Sequence, residues 1–128
     1  MFSFKPVSKH LADELFLKNG LESTKTSMAV VSKNSADDEE YGFCLFDYEE
    51  LTATIIALEY SDKHKFLPEC LIKAALNYAA NRGAFIAQSG NMKIEKELLE
   101  LGFKQEGDLL TAQIPKVMEG KCCSCQNN

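Results

Sequence analysis

The sequence predicts a mixed α/β (α+β) domain, a mostly antiparallel sheet with helices on both faces. Three observations predict it. Three short apolar segments rich in β-branched and aromatic residues follow one another within residues 27–60. An amphipathic helical pattern over 68–83 then separates them from a fourth apolar run at 84–88. A second helical pattern and a last strand complete the chain. Strands in antiparallel succession, then a crossover helix and a further strand, require a mixed sheet.

A short strand at 2–5 is compatible with Phe2 and Phe4 alternating with Ser3 and Lys5. Residues 7–19 carry Val7, Leu11, Leu15 and Phe16 at helical spacing, with Gly20 placed to end the helix. Residues 27–32 and 41–47 read as strands on either side of the acidic run Asp37-Asp38-Glu39-Glu40, which reads as a solvated loop. A third strand at 51–60 follows a connection at Asp47-Tyr48-Glu49-Glu50. In the next helix Pro68 suits the first turn, Glu69 suits the helix dipole, and Leu71, Ala75, Tyr78 and Ala79 share one face. That face makes core packing the natural job of Tyr78. After the strand at 84–88, Asn91 caps a helix bearing Ile94, Leu98 and Leu101, and Gly102-Phe103 has the form of a helix stop. Glu106-Gly107-Asp108 is a turn, and 109–114 is a last strand ended by Pro115.

A chain of 128 residues fits one domain, with residues 1–117 as its body and 118–128 as a cysteine-containing tail. Nineteen acidic against fourteen basic residues, a net charge of −5, argue against nucleic acid, whose phosphates require a basic face. No apolar run reaches the roughly 20 residues of a bilayer span, and the first residues lack the plan of a signal peptide. A cytoplasmic protein is therefore expected, with no membrane partner. Cys44 and Cys70 sit in apolar segments as small buried hydrophobes, and five cysteines without a secretory signal do not read as a disulfide framework. Cys122, Cys123 and Cys125 crowd the end of the chain. Cys122 and Cys125 have the spacing for two thiolates to share a metal, but a closed zinc site needs four ligands and no second pair exists, so zinc is not expected.

Residues 58–103 resemble the two signature regions of the GNAT acyl-CoA N-acyltransferase superfamily. The family's cofactor turn falls on Lys63-His64-Lys65-Phe66-Leu67-Pro68, after a strand ending near Leu58 and before an apolar helix. The second region matches at Asn91 and Gly102-Phe103, with Ile94 at the family's small-residue place and Leu98 at its tyrosine place. The resemblance covers the C-terminal two thirds of the chain. It implies a splayed central sheet, acetyl-CoA as donor and a small-molecule or peptide amine as acceptor. Leu58, Lys63, His64, Lys65, Phe66, Leu67 and Asn91 would lie at the cofactor.

The departures from the family bear on chemistry. Phe66 and Pro68 stand where glycines let backbone N–H groups approach the diphosphate, and Pro68 has no N–H. Lys63, His64 and Lys65 offer side-chain charge in their place. Leu98 cannot act as the family's tyrosine acid, so Tyr60 and Tyr78 are the alternatives by residue type. Glu59, near the end of the third strand, is the carboxylate placed for a general base, either partly buried or as a solvated edge charge. Three readings follow: an acyltransferase using Glu59 and Tyr60, a non-catalytic binding module of the same fold, and a metal or thiol function of the cysteine tail.

Overall fold

The computed structural model describes residues 1–119. Its elements are β1 (Phe2–Pro6), α1 (Lys9–Lys18), β2 (Ser27–Asn34), β3 (Glu39–Glu49), β4 (Thr52–Tyr60), α2 (Leu67–Ala80), β5 (Ile86–Ser89), the 3-10 turn Met92–Ile94, α3 (Glu95–Glu100), β6 (Lys104–Glu106), β7 (Leu109–Gln113) and α4 (Ile114–Glu119). One seven-stranded sheet runs in the order β1-β2-β3-β4-β5-β7-β6. All its pairs are antiparallel except β4 with β5, the pair that α2 connects as a crossover.

Residues 27–32 of β2 are buried without a break, so both faces of the sheet are covered there. α1 and α2 both pack on β2 and β3 and supply those two covers. Ser8 caps α1, its Oγ accepting the Leu11 N–H at 3.2 Å, and Ala12 and Phe16 form the buried stripe. α2 buries Leu71, Ile72, Ala75, Leu76 and Ala79. Its Tyr78 ring packs edge-on against Phe46 and Tyr48 of β3, each 5.6 Å away, with the Arg82 guanidinium 3.5 Å above it. Core packing is thus the role of Tyr78, and the even-numbered side chains of β3 from Gly42 to Tyr48 mark the sheet face that α2 covers.

Several expectations are corrected. β3 starts at Glu39 and ends at Glu49, so half of the acidic run lies in a strand and the connection shrinks to Glu50-Leu51. The strand expected at 2–5 is, by contrast, borne out as β1, at an edge of the sheet. β6 has no apolar signature, since all three residues are exposed and only its pairing with β7 makes it a strand. β7 ends at Gln113, one residue early, and Pro115 falls in the first turn of α4, where a missing N–H costs nothing. Helix α4 spans Ile114–Glu119.

Among the described residues no helix is long and apolar enough to cross a membrane, and no group of His, Cys, Asp and Glu could hold a metal. The expected ligands Cys122, Cys123 and Cys125 lie outside the described residues. Cys44 and Cys70 are both buried, as expected of small hydrophobes in apolar segments. Burial pushes the Cys44 thiol up to about 12. The thiolate is the reactive form, so Cys44 should resist a thiol reagent at neutral pH in the native protein and react once it is unfolded. Peptide mapping after alkylation in both states checks this.

Candidate functional site

The site is built on a fork in the sheet. β4 and β5 pair at only three rungs, Thr52 with Ile86, Ala53 with Ala87 and Thr54 with Gln88. β4 then continues to Tyr60, while β5 ends at Ser89. A bulge bends β4 at this point. Ile55 faces Phe46 and Ala57 faces Leu45, leaving Ile56 without a partner on β3. Beyond the last rung, side chains replace the ladder. Ser89 Oγ donates to the Ile55 carbonyl at 2.8 Å, and Asn91 Nδ2 donates to the Ile56 carbonyl at 3.0 Å. Asn91 also caps the following turn, its Oδ1 accepting the Lys93 N–H at 3.0 Å.

The bulge decides which way the candidate residues face. Leu58 pairs with Cys44 and Tyr60 with Gly42, so both lie on the α2 face, and Leu58 is buried there. Glu59 pairs with Phe43 and falls on the opposite face, together with Thr54. Glu59 is exposed, so of its two readings the solvated edge carboxylate is the one observed. Glu59 and Tyr60 therefore flank the fork from opposite sides.

Past Tyr60 the chain turns into α2. Phe66 is the N-cap residue and supplies no side-chain cap. The Leu67 N–H donates to the His64 carbonyl at 3.3 Å, and Pro68 has no N–H, so two of the first-turn donors are unavailable to an anion. Glu69 already brings a carboxylate to this helix end and pairs with the largely buried Lys73 at 2.9 Å. The rings of His64 and Phe66 pack against Phe2 of β1, with centroids at 4.9 and 5.1 Å, and Tyr41 joins them at 5.1 Å from Phe2. Lys63 and Lys65 are exposed, and Leu67 is buried. The segment expected to contact a cofactor thus divides: two lysines face solvent, and the aromatic residues seal the turn onto β1.

Tyr60 donates its hydroxyl to Glu97 Oε2 at 2.5 Å. That bond pushes the phenol up to about 12, reinforced by burial and by the charges of Glu97, Glu100 and Asp62. The folded-state value lies above the ordinary one of roughly 10. The associated stability is therefore fully present below pH ~10 and lost as pH rises through the window to about 12. Sequence reasoning missed Glu97. It stands beside Leu98, whose side chain is fully buried in the core, and one step around a helix turns about 100°.

Two cavities adjoin the elements of the site. One of about 540 Å³, lined by Asp47, Glu49, Glu50, Thr54 and Gln88, opens beside the last rung of the fork. There Gln88 Nε2 donates to Thr54 Oγ1 at 3.2 Å, and Thr26 donates to Asp47 at 2.5 Å. Among the described residues none of these three carboxylates forms an ion pair. The other, of about 220 Å³, lies between the first turns of α2, helix α3 and α4, and is lined by Lys65, Pro68, Lys73, Glu97 and Lys116 among others.

No protein-family model matches the sequence, and no curated protein matches it. Solved structures do match. The chain is similar to a GNAT family acetyltransferase from Elizabethkingia anophelis with acetyl-CoA bound, at a TM-score of 0.61 and 13% identity over 88% of this chain and 97% of that one. It is similar to the PaiA N-acetyltransferase from Thermoplasma acidophilum in complex with coenzyme A, at 0.60 and 16% over 82% and 69%. It is also similar to nourseothricin acetyltransferase, at 0.55 and 17% over 71% and 67%. At these identities the likeness concerns the fold, and the chain has the GNAT fold.

Proposed function

We propose that this chain is an acyl-CoA-dependent N-acyltransferase that transfers an acetyl group to a small amine or peptide amine. The observation that carries this reading is the fork. A parallel pair that separates after three rungs, with a bulge on one arm, opens a slot in the middle of the sheet where an extended thioester arm can lie against main chain. The residues present fit that end of acetyl-CoA. They do not reproduce a backbone cradle for its diphosphate, so that charge falls to the exposed Lys63 and Lys65. Leu58 and Leu67, both buried, offer main-chain contacts only, His64 and Phe66 shape the turn, and Asn91 holds the fork open at a fixed width.

Bound acetyl-CoA would supply an activated acyl thioester. The chain's own contribution is mainly positioning. Asp47, Glu49 and Glu50, which line the 540 Å³ cavity without an ion pair among the described residues, favour an acceptor that carries positive charge. Glu59, on the same face as Thr54, accepts the proton the amine loses, directly or through water. Tyr60 serves the leaving sulfur from the opposite face. A phenol at about 12 is a poor acid toward a thiol of roughly 8.5. Tyr60 has a single O–H, held by Glu97 in the resting site, so it serves the developing thiolate by turning that O–H from Glu97 toward sulfur, and the thiolate leaves without taking the proton.

A second reading, a non-catalytic binding module, is favoured by one group of observations: the spent Leu67 N–H, Pro68, and Leu98 buried where the family's tyrosine would stand. Calorimetry with acetyl-CoA and a thiol-release assay over a panel of amines separate the two. The first reading expects saturable binding and turnover above background. Binding without turnover leaves the second, and neither binding nor turnover defeats the first outright.

A further inference from the structure

We infer that Glu97 is a positioning residue of the donor half of this site: its carboxylate holds the Tyr60 phenol across the mouth of the fork, joining one arm to the other. The inference takes its catalytic consequence from the acyltransfer reading and its substance from geometry. Tyr60 ends β4, the first arm, and Glu97 lies in α3, reached from β5 through Asn91 and the 3-10 turn. Three bonds bridge the arms in order from the last rung: Ser89 to Ile55, Asn91 to Ile56, and Tyr60 to Glu97. The first two engage main-chain carbonyls and belong to the fixed frame. The third joins two half-buried side chains, so it can open without stranding a main-chain group.

Glu97 also lines the 220 Å³ cavity beside the start of α2, together with Lys65, Lys73 and Lys116. Among the described residues it pairs with none of these cations, and its partner is the phenol. A separation of 2.5 Å is at the short end for a hydroxyl donating to a carboxylate, the range of strong charge-assisted bonds. Such a bond fixes the ring rotamer and keeps the proton on oxygen. The arrangement reverses the family pattern that Leu98 has lost: the strand supplies the hydroxyl and the helix supplies the group that aims it.

Tyrosine-labelled protein followed by carbon NMR through alkaline pH tests this, with Tyr60→Phe to assign the signal. In Glu97→Gln the Tyr60 midpoint should fall by about one unit or more toward the ordinary value. With acetyl-CoA and a reactive amine, kcat should fall about tenfold or more while KM for acetyl-CoA stays nearly constant, and Glu97→Asp should recover part of the loss. An unchanged midpoint overturns the inference whatever the activity. A shifted midpoint with equal kcat overturns its catalytic half. A wild-type protein that releases no thiol removes the acyltransfer reading and the catalytic role of Glu97 with it, and the midpoint then reports only whether Glu97 holds the phenol.

Discussion

Gly42→Ala should cost about 2–3 kcal/mol, among the largest losses available from adding a single methyl group to this protein. A Cβ at residue 42 would lie 2.5 Å from the Glu59 carbonyl oxygen and 2.9 Å from the Tyr60 Cα. Both are main-chain atoms, so no side chain can swing aside, and the end of β4 must move. Tyr41, just before it, is the unopposed residue of a second bulge, since Ser32 faces Gly42 while Lys33 faces Glu40. Two bulged strands therefore meet at residue 42 with no room for a side chain. In a domain of this length the loss corresponds to a fall in Tm of roughly 10 °C. Gly20→Ala is the control: its φ of 73° disfavours a side chain, but nothing lies within 4 Å of the added atom. It should cost only about 1 kcal/mol. Denaturant unfolding of both variants checks the order, and a Gly42→Ala protein as stable as the control would refute the close approach. The displaced end of β4 carries Glu59 and Tyr60, so the Tyr60 titration should also move in Gly42→Ala and stay fixed in Gly20→Ala.

This coupling shows what one dimension conceals. The order of strands and helices was legible because apolar periodicity, Asn91, Gly102-Phe103 and the placement of Pro68 and Glu69 each report on their own neighbourhood. The fork was expected only through family resemblance. The bulge that bends one of its arms is silent, because Thr54-Ile55-Ile56-Ala57-Leu58 reads as an unbroken buried strand whether or not Ile56 has a partner. One extra residue reverses the facing of everything after it, so the sequence could nominate Glu59 and Tyr60, which as strand neighbours take opposite faces, but could not say which of them shares the face of α2. Glu97 was hidden differently. It is one of three glutamates in a short helix, and only its neighbour across the fork distinguishes it from Glu95 and Glu100. β6 escaped because three exposed polar residues carry no pattern, and α4 because a proline that ends a strand is equally suited to begin a helix.

Restoring main-chain donors at the start of α2 should tighten acetyl-CoA binding about tenfold or more if the donor occupies the fork. A hydrogen bond from an N–H to a charged oxygen is worth roughly 1.5–3 kcal/mol, and Pro68→Ala returns one such group to the first turn. Phe66→Gly removes the ring packed on Phe2 and His64 and frees the backbone of the N-cap residue. The combined variant should bind more tightly and with a weaker dependence on salt, since fixed dipoles then share a task that exposed lysines perform alone. Lys63→Ala with Lys65→Ala should do the opposite in the parent protein, weakening binding and flattening its salt dependence. The two experiments test one claim from both sides. If the lysine variant binds as the parent does and the restored turn gains nothing, the diphosphate is not held at this helix, and the fork must serve a ligand that lacks one. If the restored turn alone gains, the cradle geometry survives in the fold and only its donors were lost. The loss of the aromatic packing is separable from either outcome, because it lowers stability without requiring any change in affinity.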